Sequence, residues 1–339
     1  MRLIIRQRLS SVLLLLAVLL PAATAHAAHA AGTSEPIFTL TDPRGDDNGD
    51  GTLLYPLKYY GMAPGDLDLV SLSAKRVDGG TEFEATFANS IRPTARRTID
   101  EGGTTLDTIA RFGFYTTNLD IYIDTDRVPG SGATNTLPGR KAEIDPKFAW
   151  ERMICLTPRP FDARTTLKRI LLKQLKKELR DKEGKVSKEA ADQIKTTLPD
   201  DVDQHIFFPS RIRIFGHAIR FFVPDTFLGG PAKATWAYTV VVTGADIDQR
   251  FDLSNELKVT RNIQDNLMVL PVGIGGADDR FGGGQEDDDM QPPILDLIVP
   301  PGFTQQRILR DYNVRDKKPV QLLGVVPAEV AGKKEPEKK

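Results

Sequence analysis

The strongest constraint on this chain is a period of two. In "TEFEATFA", Phe83, Ala85 and Phe87 point one way, and Glu82, Glu84 and Thr86 point the other. "LDIYID" divides in the same manner into Leu119, Ile121 and Ile123 against Asp120, Tyr122 and Asp124. "RIRIF" and "TWAYTVVVTG" repeat the pattern. Successive side chains leave a strand on opposite sides, so such runs read as strands with one face on a core and the other toward water or a second layer. Gly, Pro and Asp clusters punctuate them at short intervals. The expectation is an all-β fold, an antiparallel β-sandwich of immunoglobulin-like or jelly-roll type. With one cysteine, Cys155, no intrachain disulfide can staple it. Stability then rests on a packed core and on any ions the chain binds.

One segment breaks the period. From Thr165 to Leu198 the apolar spacing becomes helical, with Leu167, Ile170, Leu171, Leu175 and Leu179 in one stripe. Lys168, Arg169, Lys173, Lys176, Lys177 and Arg180 fill the remaining surface. Gly184 stops this helix, and Ser187 is placed to cap a second one that carries Ala190, Ala191, Ile194 and Leu198. A helical hairpin over 165–198 is therefore expected as an insertion between strands. Its stripe suits a lid on the sandwich. Its basic surface over 167–182 suits a partner such as an anionic envelope polymer or lipid.

The ends read as processing and tail segments. Arg2, Arg6 and Arg8 precede the short apolar run "VLLLLAVLLPAATA", and "AHA" at 25–27 offers small residues to a signal peptidase. Residues 1–27 are expected to be a signal peptide, 36–327 the folded domain, and 328–339 a disordered charged tail. Export to the periplasm, the medium or the cell surface follows. No second apolar run of about 20 residues appears, so no transmembrane segment is expected. The net charge of −1 over 339 residues offers no field for nucleic acid.

"DPRGDDNGDGTLLYP" crowds Asp42, Asp46, Asp47 and Asp50 among glycines. Asp46, Asn48, Asp50 and Gly51 match the first half of a calcium loop, in which alternate oxygens converge and glycine allows the turn. A hard cation takes about six to eight oxygens. The bidentate Glu of an EF-hand is replaced by Leu57, so the shell would need oxygens from elsewhere. Asp124 and Asp126 in "DIYIDTDRVPGSG" are further candidates, and "QEDDDM" at 285–290 is a third acidic cluster. Calcium in a structural role is expected on Asp42, Asp46, Asp47, Asn48, Asp50, Asp124 and Asp126; a solvated acidic turn is the competing reading.

Catalysis finds little support. Within the expected folded domain only His205 and His217 occur, in no metal-ligand spacing, and there is no G-x-S-x-G elbow. Cys155, in "ERMICL", reads as a buried inert thiol. Any two acids could meet in space as a glycosidase pair, but nothing selects one. Aromatics beside strands can stack on sugar rings. Tyr55, Tyr59, Tyr122 and Trp150 are the candidate ligand-binding residues, whereas Trp236 reads as core.

Three segments, "DPRGDDNGDGTLLYP", "DIYIDTDRVPGSGATNTLPGRKAEIDPKFAWE" and "DDRFGGGQEDDDMQPPILDLIVPPGFTQQRILRDY", resemble in the same order the C-terminal module of glucodextranase and related amylase-pullulanases. That module is similar to DOMON-like and family-9 carbohydrate-binding sandwiches. The resemblance spans about Phe38 to Tyr312. It implies carbohydrate or cell-envelope binding without hydrolysis, and structural calcium as in related sandwiches. Its motif positions fall on Asp42, Gly45, Asp46, Asp47 and Gly49; on Asp120, Tyr122, Asp124 and Asp126; on 137–140; and on 281–284 with Asp296. The chain departs from the pattern at Asp50, where proline is usual, and in the helical hairpin. The leader also runs straight into the module, which suggests an independent binding protein rather than an accessory to an attached hydrolase. A stand-alone glycan-active enzyme using acidic loop residues is the alternative.

Overall fold

The computed structural model describes residues 36–58, 60–96, 98, 103–184, 186–247, 266–285 and 290–331. The leader, residues 332–339 of the charged tail, Tyr59 and residues 286–289 of the third acidic cluster lie outside that set; residues 328–331, expected in the disordered tail, belong instead to the short helix Pro327–Ala331. The fold is mostly β, with 31% strand against 23% helix. Two long helices stand beside the strands, in the stretch where the all-β expectation allowed a helical insertion.

Strands β1 (Pro36–Thr41), β2 (Leu69–Val77), β3 (Gly80–Phe87), β4 (Thr117–Asp124), β5 (Ala142–Ile144) and β6 (Arg152–Leu156) are followed by the helix pair and then by β7 (Ile206–Phe207), β8 (Ile212–Phe215), β9 (Ala218–Pro224), β10 (Ala237–Gly244), β11 (Ile294–Leu297) and β12 (Val320–Leu322). They form a five-stranded sheet in the order β1-β2-β3-β9-β8 and a second in the order β11-β10-β4-β6-β7. Pairing is antiparallel throughout except for β6 with β7 and the separate β5–β12 pair, which are parallel.

One core lies between the sheets. Phe38, Leu72, Phe83, Phe87 and Phe221 enter it from the first sheet; Leu119, Ile121, Ile154, Tyr238 and Val240 enter from the second. Phe83 stacks on Phe221 with centroids 5.5 Å apart. These are the inward positions of the two-residue period. The other face of the second sheet carries a second core. There Tyr122, Met153, Cys155, Val241 and Leu297 meet Ile144, Val320, Leu322 and the helices.

The helices are α2 (Pro160–Glu183) and α3 (Lys188–His205), with short α1 (Leu106–Ile109) before them and α4 (Asp225–Leu228), α5 (Gln305–Leu309) and α6 (Pro327–Ala331) after. α2 begins earlier than the sequence suggested because Pro160 stands in the first turn, where its missing N–H costs nothing. Gly184 ends it at φ 73°, and Ser187 accepts from the Ala190 N–H to start α3. α3 runs past Pro199 to His205, since Leu198 and Val202 are both buried and packing outweighs the lost hydrogen bond. Leu167, Ile170 and Leu171 of the predicted stripe seat α2 in the second core. No helix among the described residues is long and apolar enough to cross a membrane.

Candidate functional site

The first acidic loop is held in an unusual backbone path. Gly49 has φ +65°, and a Cβ there would meet Leu53 Cδ1 at 2.6 Å and the Ile294 carbonyl at 2.7 Å. Glycine is required on both counts. Its N–H donates to the Leu295 carbonyl at 2.9 Å, so the loop lies directly on β11. Gln305 Nε2 then donates to the carbonyls of Asp46, Gly49 and Leu295. The "FGGG" segment closes the other side: Leu54 bridges Gly282, and a Cβ at Gly283 would lie 1.9 Å from the Thr52 carbonyl.

This packing brings Asp42, Asp46 and Asp296 together, each offering an oxygen within 4.8 Å of the others. Asp296 sits on β11, fully buried, and its Oδ2 accepts from Leu69 N at 2.6 Å where the β2–β3 register shifts. It thereby ties the second sheet to the first. Asp42 Oδ2 and Asp46 Oδ1 are buried and receive no hydrogen bond. Burial, with Asp46 and Asp68 adding like charge, pushes Asp42 up to about 7. Burial and the Asp68 charge push Asp46 up to about 6. Burial and the Asp42 charge raise Asp296 as well. Three carboxylates that resist ionisation together are the condition a bound cation relieves.

The other acids of the loop are satisfied by protein donors. Asp47 Oδ2 accepts from the Tyr55 hydroxyl and from Gly65 N at 2.7 Å. Asp50 accepts from Thr52 N and Oγ1 and from Gln291 Nε2. Asn48 Oδ1, in contrast, is buried without a donor, as is Asp68 Oδ1. Asp68 is 3% exposed and its other oxygen accepts from Gly45 N at 2.6 Å. Asn48 and Asp68 line a cleft of about 610 Å³, walled also by Arg44, Leu53, Leu54 and Tyr55.

A second cluster stands at the end of β4, where Asp124, Asp126 and Glu151 offer oxygens within 4.8 Å of one another. Asp124 Oδ1 accepts from Arg127 N at 2.6 Å, while Oδ2 is buried without a donor. Burial, with the Glu151 charge adding to it, raises the Asp124 pKa. Asp126 and Glu151 are engaged by Val128 N, Thr125 N and Ser131 Oγ.

Of the sugar-stacking candidates, Tyr55 reaches the cleft, with its ring edge-on to Phe281 at 5.6 Å. Tyr122 and Trp150 do not offer faces to a ligand, and that expectation is corrected. They are 1% and 4% exposed, packed together at 5.7 Å in the second core. Tyr122 Oη accepts from Leu137 N and Trp150 Nε1 donates to the Asn135 carbonyl. Asp120 beside them is bound by Arg140, Nε to Oδ2 at 2.6 Å, in a fully buried pair.

Sequence reasoning missed Asp68, Asp296 and Glu151 as ligand candidates. Asp296 stands singly in the apolar run "ILDLIV", where a lone acid signals a buried role, whereas Asp68 in "GDLDLV" follows Asp66 and Glu151 in "AWERM" precedes Arg152, so neither stands out.

A family model described as the C-terminal binding module, SLH-like, of glucodextranase matches residues 37–324. The chain belongs to this family. No curated protein sequence matches it. In this glucodextranase-type module the three motifs have separable roles. The first and third build the Asp42–Asp46–Asp296 cluster, and the first also walls the cleft together with residues from 64–68 and 88–89. The second supplies the buried Asp120–Arg140 pair on its way to the Asp124 cluster.

Proposed function

We propose that the chain is an exported, non-catalytic carbohydrate- or cell-envelope-binding module of the glucodextranase C-terminal type, a β-sandwich with an inserted helical hairpin and structural calcium. The two sheets sharing one core support the sandwich. Family membership supports glycan binding. The observation that carries calcium is the pair of buried, donor-less oxygens on Asp42 and Asp46 facing Asp296. An all-oxygen, anionic donor set suits a hard cation. Asp42, Asp46 and Asp296 would hold one ion. Asp124, with Asp126 and Glu151, offers a second place. Such an ion neutralises the loops and fixes the strand ends they join; the protein residues bind the glycan.

Retention on immobilised α-glucans and on purified cell wall tests the binding role, and metal analysis of the purified protein tests the ion. Absence of retention on every polysaccharide would defeat the reading.

A second reading is a glycan-active enzyme. It draws on the elevated Asp42, since a carboxyl near pH 7 can act as a general acid. Asp42 does not line the cleft, which favours the first reading. Release of reducing ends from dextran, pullulan or starch would reverse that preference.

A further inference from the structure

The cleft beside the Asp42 cluster contains two acceptors that the protein leaves without donors. Asn48 Oδ1 and Asp68 Oδ1 are buried, and both residues form its wall. A buried acceptor without a partner costs about 1–3 kcal/mol, so it is kept where something else supplies the donor. Asp68 is buried overall, with 3% of its surface exposed. The cleft volume of about 610 Å³ lies within the range of small-molecule sites.

The rest of the lining defines what enters. Leu54 projects at the surface, 62% exposed, and with Leu53 gives one apolar wall. Arg44, exposed and lining the cleft, is a cationic donor. The Tyr55 hydroxyl is oriented by its bond to Asp47. Acceptors inside, an exposed cationic donor and an apolar plate along one side match a ring that carries hydroxyl donors on its edge and C–H groups on its face. The Asp47 and Asp68 carboxylates disfavour an anionic ligand.

We propose that this cleft is the saccharide subsite of the module and that it takes a neutral, unsubstituted glucan end, with hydroxyls donating to Asn48 Oδ1 and Asp68 Oδ1. The inference rests on the glycan-binding reading above and adds the place and the charge class.

The test uses the purified full-length mature protein and calorimetric titration with maltoheptaose, isomaltoheptaose, cellohexaose and an oligogalacturonate. Arg44→Ala and Leu54→Glu alter exposed cleft residues, and Lys177→Ala on α2 is the control; melting curves confirm that each variant is folded. The expected result is binding of at least one neutral oligosaccharide, no binding of the oligogalacturonate, and a loss of about tenfold in affinity for each cleft variant, with Lys177→Ala unchanged. One hydrogen bond or one apolar wall is worth about that factor. Binding of a neutral oligosaccharide with unaltered affinity in both cleft variants overturns the subsite and leaves the glycan-binding reading standing. Preferential binding of the oligogalacturonate overturns the charge class. If the unaltered protein binds none of the four and is not retained on any polysaccharide, the glycan-binding reading itself fails, and the subsite with it.

Discussion

Strands β3 and β4 alternate equally well in sequence, yet they are buried differently. In β3, Phe83, Ala85 and Phe87 are in the core between the sheets while Glu82, Glu84 and Thr86 stay partly exposed. In β4, Leu119, Ile121 and Ile123 enter that same core, and Asp120, Tyr122 and Asp124 are buried too. The first sheet keeps one wet face. The second is covered on its outer side by α2, α3 and the β5–β12 pair. A polar residue on the first sheet can be hydrated; on the second it must find a partner inside the protein. Asp120 finds Arg140, and Tyr122 finds Leu137. Asp124 keeps one oxygen without a hydrogen-bond donor.

The largest effect should therefore come from separating the buried pair. Arg140→Leu leaves Asp120 charged and enclosed, with an expected loss of about 3–5 kcal/mol in urea unfolding. The Asp120→Leu/Arg140→Leu double variant should recover much of that loss, because the desolvation cost disappears with the charges. Equal destabilisation in the single and double variants would mean that the pair's geometry, not its charge, matters on the covered sheet.

Where a cover lies is what the sequence conveys least. The two-residue period places Phe83 and Ile121 correctly on inner faces, because alternation is a property of the strand itself. The same period is silent on whether Glu84 and Asp120 meet water or a helix, which depends on α2 and α3 packing from far along the chain. The helices were legible through Leu167, Ile170 and Leu171, and Gly184 marked the break between them. Their ends were not, because Pro199 reads as a stop until Val202 is seen to be buried. At the candidate site, the glycine-interleaved acids flagged the loop that carries Asp42 and Asp46. Which acids converge was hidden, since Asp47 and Asp50 are taken by Tyr55, Gly65, Thr52 and Gln291, while Asp296 arrives from the opposite sheet.

The Asp42 cluster joins the two sheets, and its charge state gives the next effects. Asp42 has its carboxyl raised from 3.8 to about 7. A carboxylate whose folded pKa exceeds its unfolded one adds stability below pH ~4, and that contribution is lost as pH rises toward 7. Metal-free protein should thus melt progressively lower between pH 4.5 and 7.5 on account of this group. Calcium at a hundredfold over its dissociation constant should restore about 2.7 kcal/mol at pH 7.5 and much less near pH 5, where protons compete. Melting curves in chelator and in calcium at the two pH values measure this. A flat calcium response at pH 7.5 would remove the ion. Asp42→Asn should raise the chelator-state stability at pH 7.5 by about 1–2 kcal/mol, by removing one of the repelling charges, and should reduce the calcium shift.

The smallest effect belongs to the wet face, where it completes the contrast. Arg220 on β9 pairs with Glu84 across the strands and lies over the Phe215 ring at 4.5 Å. Both charged groups are about one-third exposed. Water therefore screens their attraction and can replace either partner once the other is removed. Arg220→Ala should cost about 1 kcal/mol or less, mostly from the lost ring contact, and the cost should shrink little in 1 M salt if that contact dominates. Arg140→Leu removes the same side-chain type from a carboxylate of the same charge, and also two hydrogen bonds donated to the Pro138 and Leu267 carbonyls, so the difference between the two measurements reads the cover together with the partners it encloses. If Arg220→Ala proved as damaging as Arg140→Leu, solvent would not be reaching the first sheet's outer face, and a further layer or a partner would have to lie on it.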